Sequence, residues 1–330
     1  MSIAMGIDFG GTKVLAGVVD LDSGEVLATA KKKTDAGDSA DQMMNRLYSV
    51  AEEAAEKAKV AVADLRGIGV GLAGQVDTER GVLLGAPNLS QSTVDLPMAA
   101  LLTRRFEIPA NLRNDVQVAA IGEAAFGAGR GHPDFVCVFV GTGIGGAIVH
   151  NGALVSGAAG AAGEIGHMVI HANGRICGCG GRGHLEAYAS RTAITKAVLG
   201  ELKRGQKSVL SDVLTGVEDT PGGTAIRSGD LAKAVRADDE LAIDIVHEAG
   251  RYLGYGLASV INLLNPPRII LGGGVIEAIE LFFQVAERTA RRESLATSAR
   301  SVTIVPSALG DNAGVVGAAM LNASNAVASV

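Results

Sequence analysis

The sequence contains no tryptophan, few other aromatic residues and no excess of positive charge. Aromatic residues make up 3% of the 330 positions, and the formal net charge is −6. Proteins that bind single-stranded nucleic acid or polysaccharide commonly stack bases or sugar rings on aromatic side chains, and nucleic-acid binders usually carry a basic face. We therefore expect no nucleic acid among the partners of this protein.

Cysteine is also scarce, and its three copies do not fit a disulfide framework. Cys177 and Cys179 are separated by one residue, whereas Cys137 lies in an apolar run. An odd number of cysteines with a C-x-C pair is typical of a reducing compartment and of a metal site. The N-terminus reaches Asp8 without a basic segment, which is unlike a signal peptide. These features predict a cytoplasmic protein.

Charge is missing from one long segment, because residues 135–163 include no Asp, Glu, Lys or Arg. Repeated glycines, His150 and Asn151 interrupt this segment, so we predict no membrane span. The hydrophobic fraction of 48% excludes a disordered chain, and the length suits about two domains with their own cores.

Glycine is abundant, with 45 residues, and three glycine-rich turns each lie next to an apolar strand. The turns fall within residues 8–13, 141–146 and 272–274. The first two have apolar strands on both sides, which predicts a duplicated strand–turn–strand unit. Backbone N–H groups in such turns can bind phosphate oxygens. Ordinary tight turns are the alternative interpretation of any one of them.

Two common nucleotide-binding motifs do not account for these turns. Gly141, Gly143 and Gly146 have the spacing of the dinucleotide fingerprint, but that fingerprint must open a helix, and residues 147–149 predict a strand. The P-loop motif G-x-x-x-x-G-K-[ST] is absent. We expect instead a nucleotide held between two glycine hairpins, with Thr12, Lys13 and Thr142 bonded to phosphate.

The segment from His167 to His184 contains the ligands for one metal ion: His167, Cys177, Cys179 and His184. Thiolates and imidazoles favour Zn²⁺ in a closed tetrahedral site, which is structural. His171 is an alternative histidine ligand. Two buried thiols beside surface histidines would be the interpretation without a metal.

Asn114 and Asp115 follow an extended segment and precede a helix predicted over residues 116–126. A carboxylate in this position can accept a proton from a substrate hydroxyl, although Asn-Asp is also a common helix cap. Apolar spacing further predicts an amphipathic helix from Ser39 to Ala63. The tail from Gly314 to Ala328 is rich in small residues, and we expect it to be helical.

Together these motifs resemble those of the ROK family of sugar kinases, typified by bacterial glucokinases, over nearly the whole chain. The resemblance rests on Asp8-x-Gly10-Gly11-Thr12-Lys13, Gly141-Thr142-Gly143-Ile144-Gly145-Gly146, Leu271-Gly272-Gly273-Gly274, Glu164-x-Gly166-His167, Cys177-x-Cys179-Gly180-x-x-Gly183 and Glu186. The cysteine–histidine signature is the most specific of these. His184 stands where the family usually has cysteine.

The resemblance implies an α/β actin-like ATPase (ribonuclease H-like) fold with two lobes and a central cleft. The small lobe would comprise residues 1–115 and 316–330, and the large lobe, residues 116–315, would carry the zinc loop. It further implies ATP, Mg²⁺ and structural Zn²⁺ as cofactors, a hexose as substrate and a homodimer or homotetramer.

Residue roles are also implied by the resemblance. Asp115 would be the general base. The sugar hydroxyls would be bound by Asn88, Asn114, Glu164, His167 and Glu186. ATP would be bound by Asp8, Gly10, Gly11, Thr12, Lys13, Gly141, Thr142, Gly143, Gly145, Gly272, Gly273 and Gly274. Zinc would be held by His167, Cys177, Cys179 and His184, with His171 as the possible substitute.

The expected reaction is transfer of the ATP γ-phosphate to the 6-hydroxyl of a hexose. Glucose is the first expectation; N-acetylmannosamine, fructose and allose are the alternatives. A sugar-responsive repressor of the same family would carry a helix-turn-helix before the first glycine turn, and the first strand begins near Met5. A sensor without turnover and a kinase of another polyol or acid complete the set of hypotheses.

Overall fold

Apolar strands alternate with helices to build two mixed sheets in the computed structural model, which describes residues 2–10, 13–34, 37–85, 91–214 and 226–323. The strands are β1 (Ile3–Phe9), β2 (Lys13–Asp20), β3 (Val26–Lys33), β4 (Ile68–Leu72), β5 (Gln75–Asp77), β6 (Val82–Gly85), β7 (Ala110–Asn114), β8 (Phe135–Val140), β9 (Ile144–His150), β10 (Ala153–Leu154), β11 (Arg268–Gly272) and β12 (Thr303–Pro306). The helices are α1 (Ala40–Ala58), α2 (Met98–Phe106), α3 (Asp115–Phe126), α4 (Glu186–Ala189), α5 (Arg191–Lys203), α6 (Ser211–Leu214), α7 (Ser228–Arg236), α8 (Glu240–Leu264), α9 (Gly274–Ala278), α10 (Glu280–Glu293), α11 (Ala296–Ser301) and α12 (Ala313–Met320).

The first sheet has the order β3-β2-β1-β4-β7. β1 and β2 form the predicted antiparallel hairpin, and β1, β4 and β7 run parallel, with Asp8 opposite Gly71 and Leu72 opposite Asn114. The carboxyl ends of parallel strands lie at one edge of a sheet, where ligands of α/β proteins bind. Asp8 and Asp115 therefore belong to the same edge of the first sheet.

Glycines allow α12 to lie directly on this sheet. A Cβ atom on Gly69 would meet the backbone oxygen of Ala318, and one on Gly6 would meet that of Val315. On the other side, a Cβ on Gly317 would meet the backbone oxygen of Val118 in α3. The small residues of the tail thus serve close packing between a helix and a sheet.

The second sheet has the order β10-β9-β8-β11-β12. β11 lies parallel to both of its neighbours, with Ile270 opposite Cys137 on one side and Val305 on the other. The turn after β8 closes through a hydrogen bond from the Gly141 N–H to the Gly143 oxygen at 2.9 Å. A strand, β9, follows this turn, so the interpretation of residues 141–146 as a dinucleotide fingerprint is excluded.

The chain divides into two compact units. One comprises residues 1–134, 147–162 and 307–330, and the other comprises residues 135–146 and 163–306. The predicted lobe boundaries, 1–115 with 316–330 against 116–315, stay a prediction. Among the described residues, no helix combines the length and apolar character needed to cross a bilayer.

Two helix predictions extend beyond the observed helices. α1 begins after Ser39, as predicted, but ends at Ala58 because Lys59 adopts a left-handed conformation, with φ of 59°, and donates its N–H to the helix end. The predicted helical tail begins as expected, but α12 ends at Met320, and residues 324–328 lie outside the described part of the chain.

Candidate active site and metal centre

Asn114 and Asp115 occupy the junction of β7 and α3. Asn114 is the N-cap: its side-chain oxygen accepts hydrogen bonds from the N–H groups of Val116 at 3.0 Å and Gln117 at 3.3 Å. Asp115 is the first helical residue, and its Oδ1 accepts from Val116 at 2.9 Å. Asn114 therefore provides the predicted cap. The half-buried Asp115 is the first residue of α3, in the turn that Asn114 caps.

Asp8, near the end of β1, is a carboxyl group that is costly to ionise. Burial raises the pKa of Asp8 to about 6, Lys13 opposes the shift, and the charge of Asp311 adds to it. Lys13 Nζ lies 3.7 Å from Asp311 Oδ1. A cation bound beside Asp8 would lower this pKa and favour the carboxylate.

The loop that carries Asp311 is fixed by Glu123, which is fully buried in α3. Glu123 accepts hydrogen bonds from the Ser307 hydroxyl at 2.6 Å and from the Leu309 N–H at 3.0 Å. Neither Glu123 nor Asp311 was predicted as a site residue, because their contacts join segments that are distant in sequence.

The glycine hairpin at residues 141–146 is held from two sides. On one side, Glu186 Oε2 accepts the Ile144 N–H at 2.9 Å, and a Cβ on Gly143 would meet this oxygen. On the other, Arg191 Nη2 donates to the Thr142 hydroxyl at 2.7 Å, and the Thr192 hydroxyl donates to the Thr142 oxygen at 2.8 Å. Gly145 lies within β9.

The other predicted phosphate and nucleoside residues fall into two groups. Gly10 donates its N–H to the Lys13 oxygen at 3.0 Å, while Gly11, Thr12 and Asn88 lie outside the described residues. At the end of β11, Gly273 has φ of +88°, and a Cβ there would meet the backbone of Val140. Gly272 and Gly274 flank it, and the buried Ser228 hydroxyl, without a described partner, lies near the Cβ position of Gly274.

The four predicted metal ligands come together. Their ligand atoms lie within 4.8 Å of one another in a group of His167, Cys177, Cys179 and His184. Cys179 Sγ is 3.2 Å from His184 Nδ1, and Cys177 Sγ is 3.9 Å from His167 Nδ1. Zn–S and Zn–N bonds of about 2.3 and 2.0 Å place tetrahedral ligand atoms at similar separations. The donor set and its spacing fit one Zn²⁺ ion.

His171 is not part of this group. Its Nδ1 lies 3.2 Å from the Ala172 oxygen, and its ring stacks on Tyr188 with centroids 6.2 Å apart. The Tyr188 hydroxyl accepts the Arg175 N–H at 2.7 Å, so Tyr188 supports the loop that carries the cysteines.

The two ring nitrogens of His167 face different groups. Nδ1 faces the metal-ligand group, and Nε2 lies 3.9 Å from the exposed Glu164 carboxylate. Cys177 donates to Glu186 Oε1 at 3.4 Å, and burial, with the Glu186 charge adding, raises the pKa of Cys177 to about 12. The metal-ligand group thus includes one predicted sugar-binding residue, His167, and adjoins two others, Glu164 and Glu186.

The α/β fold, with its two mixed five-stranded sheets, is the actin-like ATPase fold, which the structural neighbours share. The family model described as "ROK family" matches residues 4–325, and the chain belongs to this family.

Individual proteins similar to this chain agree with membership of the ROK family. The glucokinase of Streptomyces coelicolor is 33% identical over 323 residues, which cover 97% of this chain and 98% of the relative. A crystal structure of a ROK family glucokinase from Streptomyces griseus, in complex with glucose and AMPPNP, is 33% identical with a TM-score of 0.84 and coverage of 97% and 99%. The xylose repressor of Caldicellulosiruptor bescii is 29% identical, but the match covers 89% of this chain and 71% of the repressor.

Proposed function

We propose that this protein is an ATP-dependent hexose kinase that transfers the γ-phosphate of ATP to the 6-hydroxyl of glucose. The observation that carries the proposal is the Asp115 carboxylate at the carboxyl edge of the first sheet, the position of a base for a substrate hydroxyl. It is supported by the near-complete coverage of glucokinases, including one in complex with glucose and AMPPNP.

In this proposal, Asp115 accepts the proton of the sugar hydroxyl as that oxygen bonds to the γ-phosphorus. The bond from the γ-phosphorus to the β–γ bridging oxygen breaks, and ADP leaves with its electron pair. Phosphoryl transfer depends mainly on positioning and on charge stabilisation, so one base and a set of orienting groups suffice. The hairpin at 141–146 and the segment from Asp8 to Lys13 bind the phosphates. Asp8 would be the carboxylate that holds Mg²⁺, and the ion would offset the negative charge of the phosphates.

Sugar recognition is assigned to Asn88, Asn114, Glu164, His167 and Glu186. Carboxylate and imidazole groups accept or donate hydrogen bonds to individual hydroxyls, and a sugar that lacks one of these hydroxyls leaves its partner unpaired. His167 is central to this assignment because its Nε2 faces Glu164 while its Nδ1 faces the metal ligands.

Zinc is assigned to His167, Cys177, Cys179 and His184. These four residues would hold zinc in a structural role, in which the bound ion would stabilise the loop and the orientation of the His167 ring. His184 replaces the cysteine that is usual in the family, and imidazole is an equally competent zinc ligand.

A panel of hexoses with ATP and Mg²⁺, followed by coupled ADP release, tests the proposal. The panel includes glucose, N-acetylmannosamine, fructose, allose and a sugar-free control. We expect glucose to give the highest kcat/KM. Sugar binding without ADP release would instead support a sensor, and a different preferred hexose would replace glucose while leaving the hexose-kinase assignment intact.

A further inference from the structure

We propose that Arg191 is a polyphosphate-binding residue, whose guanidinium contacts the phosphate chain of ATP at the hairpin of residues 141–146. The inference rests on the proposed function and adds a residue to its nucleotide site. No sequence motif identifies Arg191, which follows the last motif residue, Glu186, by five positions.

The placement of Arg191 couples it to the hairpin. Its backbone N–H donates to the Gly141 oxygen at 3.0 Å, and its Nη2 donates to the Thr142 hydroxyl at 2.7 Å. A Cβ on Gly141 would meet nothing within 4 Å, so the space beside this end of the hairpin is open. A phosphate group could therefore reach both the hairpin backbone and the guanidinium.

The guanidinium has no anionic partner among the described residues. The Thr142 bond is the only hydrogen bond of its side chain there, its Nε is buried without an acceptor, and it forms no ion pair. Glu186 also contacts the hairpin, but its carboxylate bonds to Ile144 and Cys177. A partly desolvated cation without a carboxylate is costly, and a bound anion would offset that cost.

The local helix adds to the positive potential. Arg191 is the first residue of α5, a 13-residue helix with no acidic residue in its first turn. The N-terminus of a helix carries partial positive charge and ordinarily disfavours a basic residue. A cation at this position, next to a glycine hairpin, fits the binding of a multiply charged anion.

An alternative is that Arg191 only braces the hairpin through Thr142. The two roles differ in how the effect depends on the charge of the nucleotide. A charge contact with the terminal phosphates gains strength from AMP to ADP to AMPPNP, whereas loss of a brace weakens all three equally.

The test is isothermal titration of AMP, ADP and AMPPNP with Mg²⁺, without sugar, into the full-length wild-type chain and the Arg191→Gln variant. Glutamine retains a donor for Thr142 but removes the charge. We expect AMPPNP affinity to fall about 10- to 100-fold, the range for a hydrogen bond to a charged group, and AMP affinity to change about 3-fold or less. Arg191→Lys should recover part of the AMPPNP affinity.

Two controls separate charge from support. Thr192→Val removes the neighbouring hydrogen bond to the Thr142 backbone without a change in charge, and Arg204→Gln removes a positive charge from the other end of α5. Thr192→Val, as the loss of a support, should change the affinity for all three nucleotides by a similar factor, whereas Arg204→Gln should bind AMPPNP within about 3-fold of wild type. Unchanged AMPPNP affinity in Arg191→Gln, or an equal loss for all three nucleotides, would overturn the inference.

The result is independent of the hexose. A chain that binds AMPPNP through Arg191 but phosphorylates no hexose would refute the proposed function and leave this inference standing. A chain that phosphorylates glucose and is indifferent to Arg191→Gln would do the reverse.

Discussion

Glu186 Oε2 accepts a hydrogen bond from the Ile144 N–H at 2.9 Å, and this contact joins the metal-ligand loop to the glycine hairpin. The other carboxylate oxygen accepts from Cys177 at 3.4 Å. A residue assigned to sugar binding thus also supports the segment assigned to phosphate binding. Its removal should disturb the binding of both substrates.

We predict that Glu186→Ala raises KM for glucose and for ATP together, each by about 10-fold or more, because a hydrogen bond with a charged group is lost on each side. Glu186→Gln keeps an acceptor for Ile144 and should restore the KM for ATP more than that for glucose. Steady-state kinetics with each substrate varied in turn measure both effects. An increase in the glucose KM alone would show that the contact with Ile144 is dispensable.

Zinc content can be tested through His184. The purified protein should contain about one zinc ion per chain, as expected for a single group of four ligands. His184→Ala should lose most of the zinc and lower Tm by several degrees, because metal binding contributes to folding. His184→Cys should retain the zinc and the wild-type Tm.

His171→Ala is the matched control for the zinc prediction, because His171 lies outside the ligand group. Elemental analysis and thermal unfolding are the measurements. A zinc-free wild-type protein with full activity and an unchanged Tm would contradict the assignment.

The environment of Asp8 predicts a pH-dependent stability. Its pKa is about 6 in the folded protein and 3.8 without the fold, so the native state binds the proton more tightly. Stability from this group is therefore full below about pH 4 and falls as the pH rises towards 6. Asp8→Asn lacks this loss and should unfold at pH 7 with a free energy about 1–3 kcal/mol higher than wild type.

The pH prediction is checked by urea unfolding at several pH values between 4 and 7, without nucleotide or Mg²⁺. The difference between the two proteins should be small at the acid end and reach a plateau near neutral pH. Burial is the largest cause of the raised pKa of Asp8, with Lys13 opposing it and Asp311 adding to it, so the difference between the two proteins reports mainly on burial. A difference that does not vary with pH would contradict the role assigned to burial of Asp8.

Close packing between α12 and the first sheet makes Gly69 intolerant of a side chain. A Cβ there would meet the backbone oxygen of Ala318, and backbone cannot move aside cheaply. Gly69→Ala should lower the free energy of unfolding by about 1–3 kcal/mol.

Gly200→Ala is the control for this packing effect, since a Cβ on Gly200, within α5, would meet nothing within 4 Å. Because alanine favours the helix, this variant should be neutral or slightly stabilised. Chemical denaturation of both variants provides the comparison. Equal stability of Gly69→Ala and wild type would contradict the packing described.

Local patterns in the sequence predict local structure well in this protein. The strand–turn–strand from β1 to β2 and the metal-ligand group each lie within a short segment, and both are present. The ligand group could be predicted because its four members lie within eighteen residues, and the glycines among them allow the chain to turn tightly.

Contacts between distant segments were not predictable in the same way. The contact between Glu186 and Ile144 spans 42 positions, and that between Glu123 and Leu309 spans 186. α1 ends before Lys59, which adopts a left-handed conformation. Because this position holds neither glycine nor proline, the sequence does not indicate the helix end. The role proposed for Arg191 could not be predicted from the sequence, because it depends on the hairpin beside Arg191 and on the lack of a carboxylate partner among the described residues.

The most direct test of the account is the kcat of Asp115→Asn for glucose phosphorylation, measured together with equilibrium binding of glucose. Asparagine preserves an oxygen for the Val116 N–H but cannot accept the proton of the sugar hydroxyl. Asp41→Asn, at an exposed position in the first turn of α1, is the matched control and should have wild-type activity. The account predicts that Asp115→Asn binds glucose normally and loses about 100-fold or more in kcat. A variant with near wild-type kcat would contradict the assignment of Asp115 as the base.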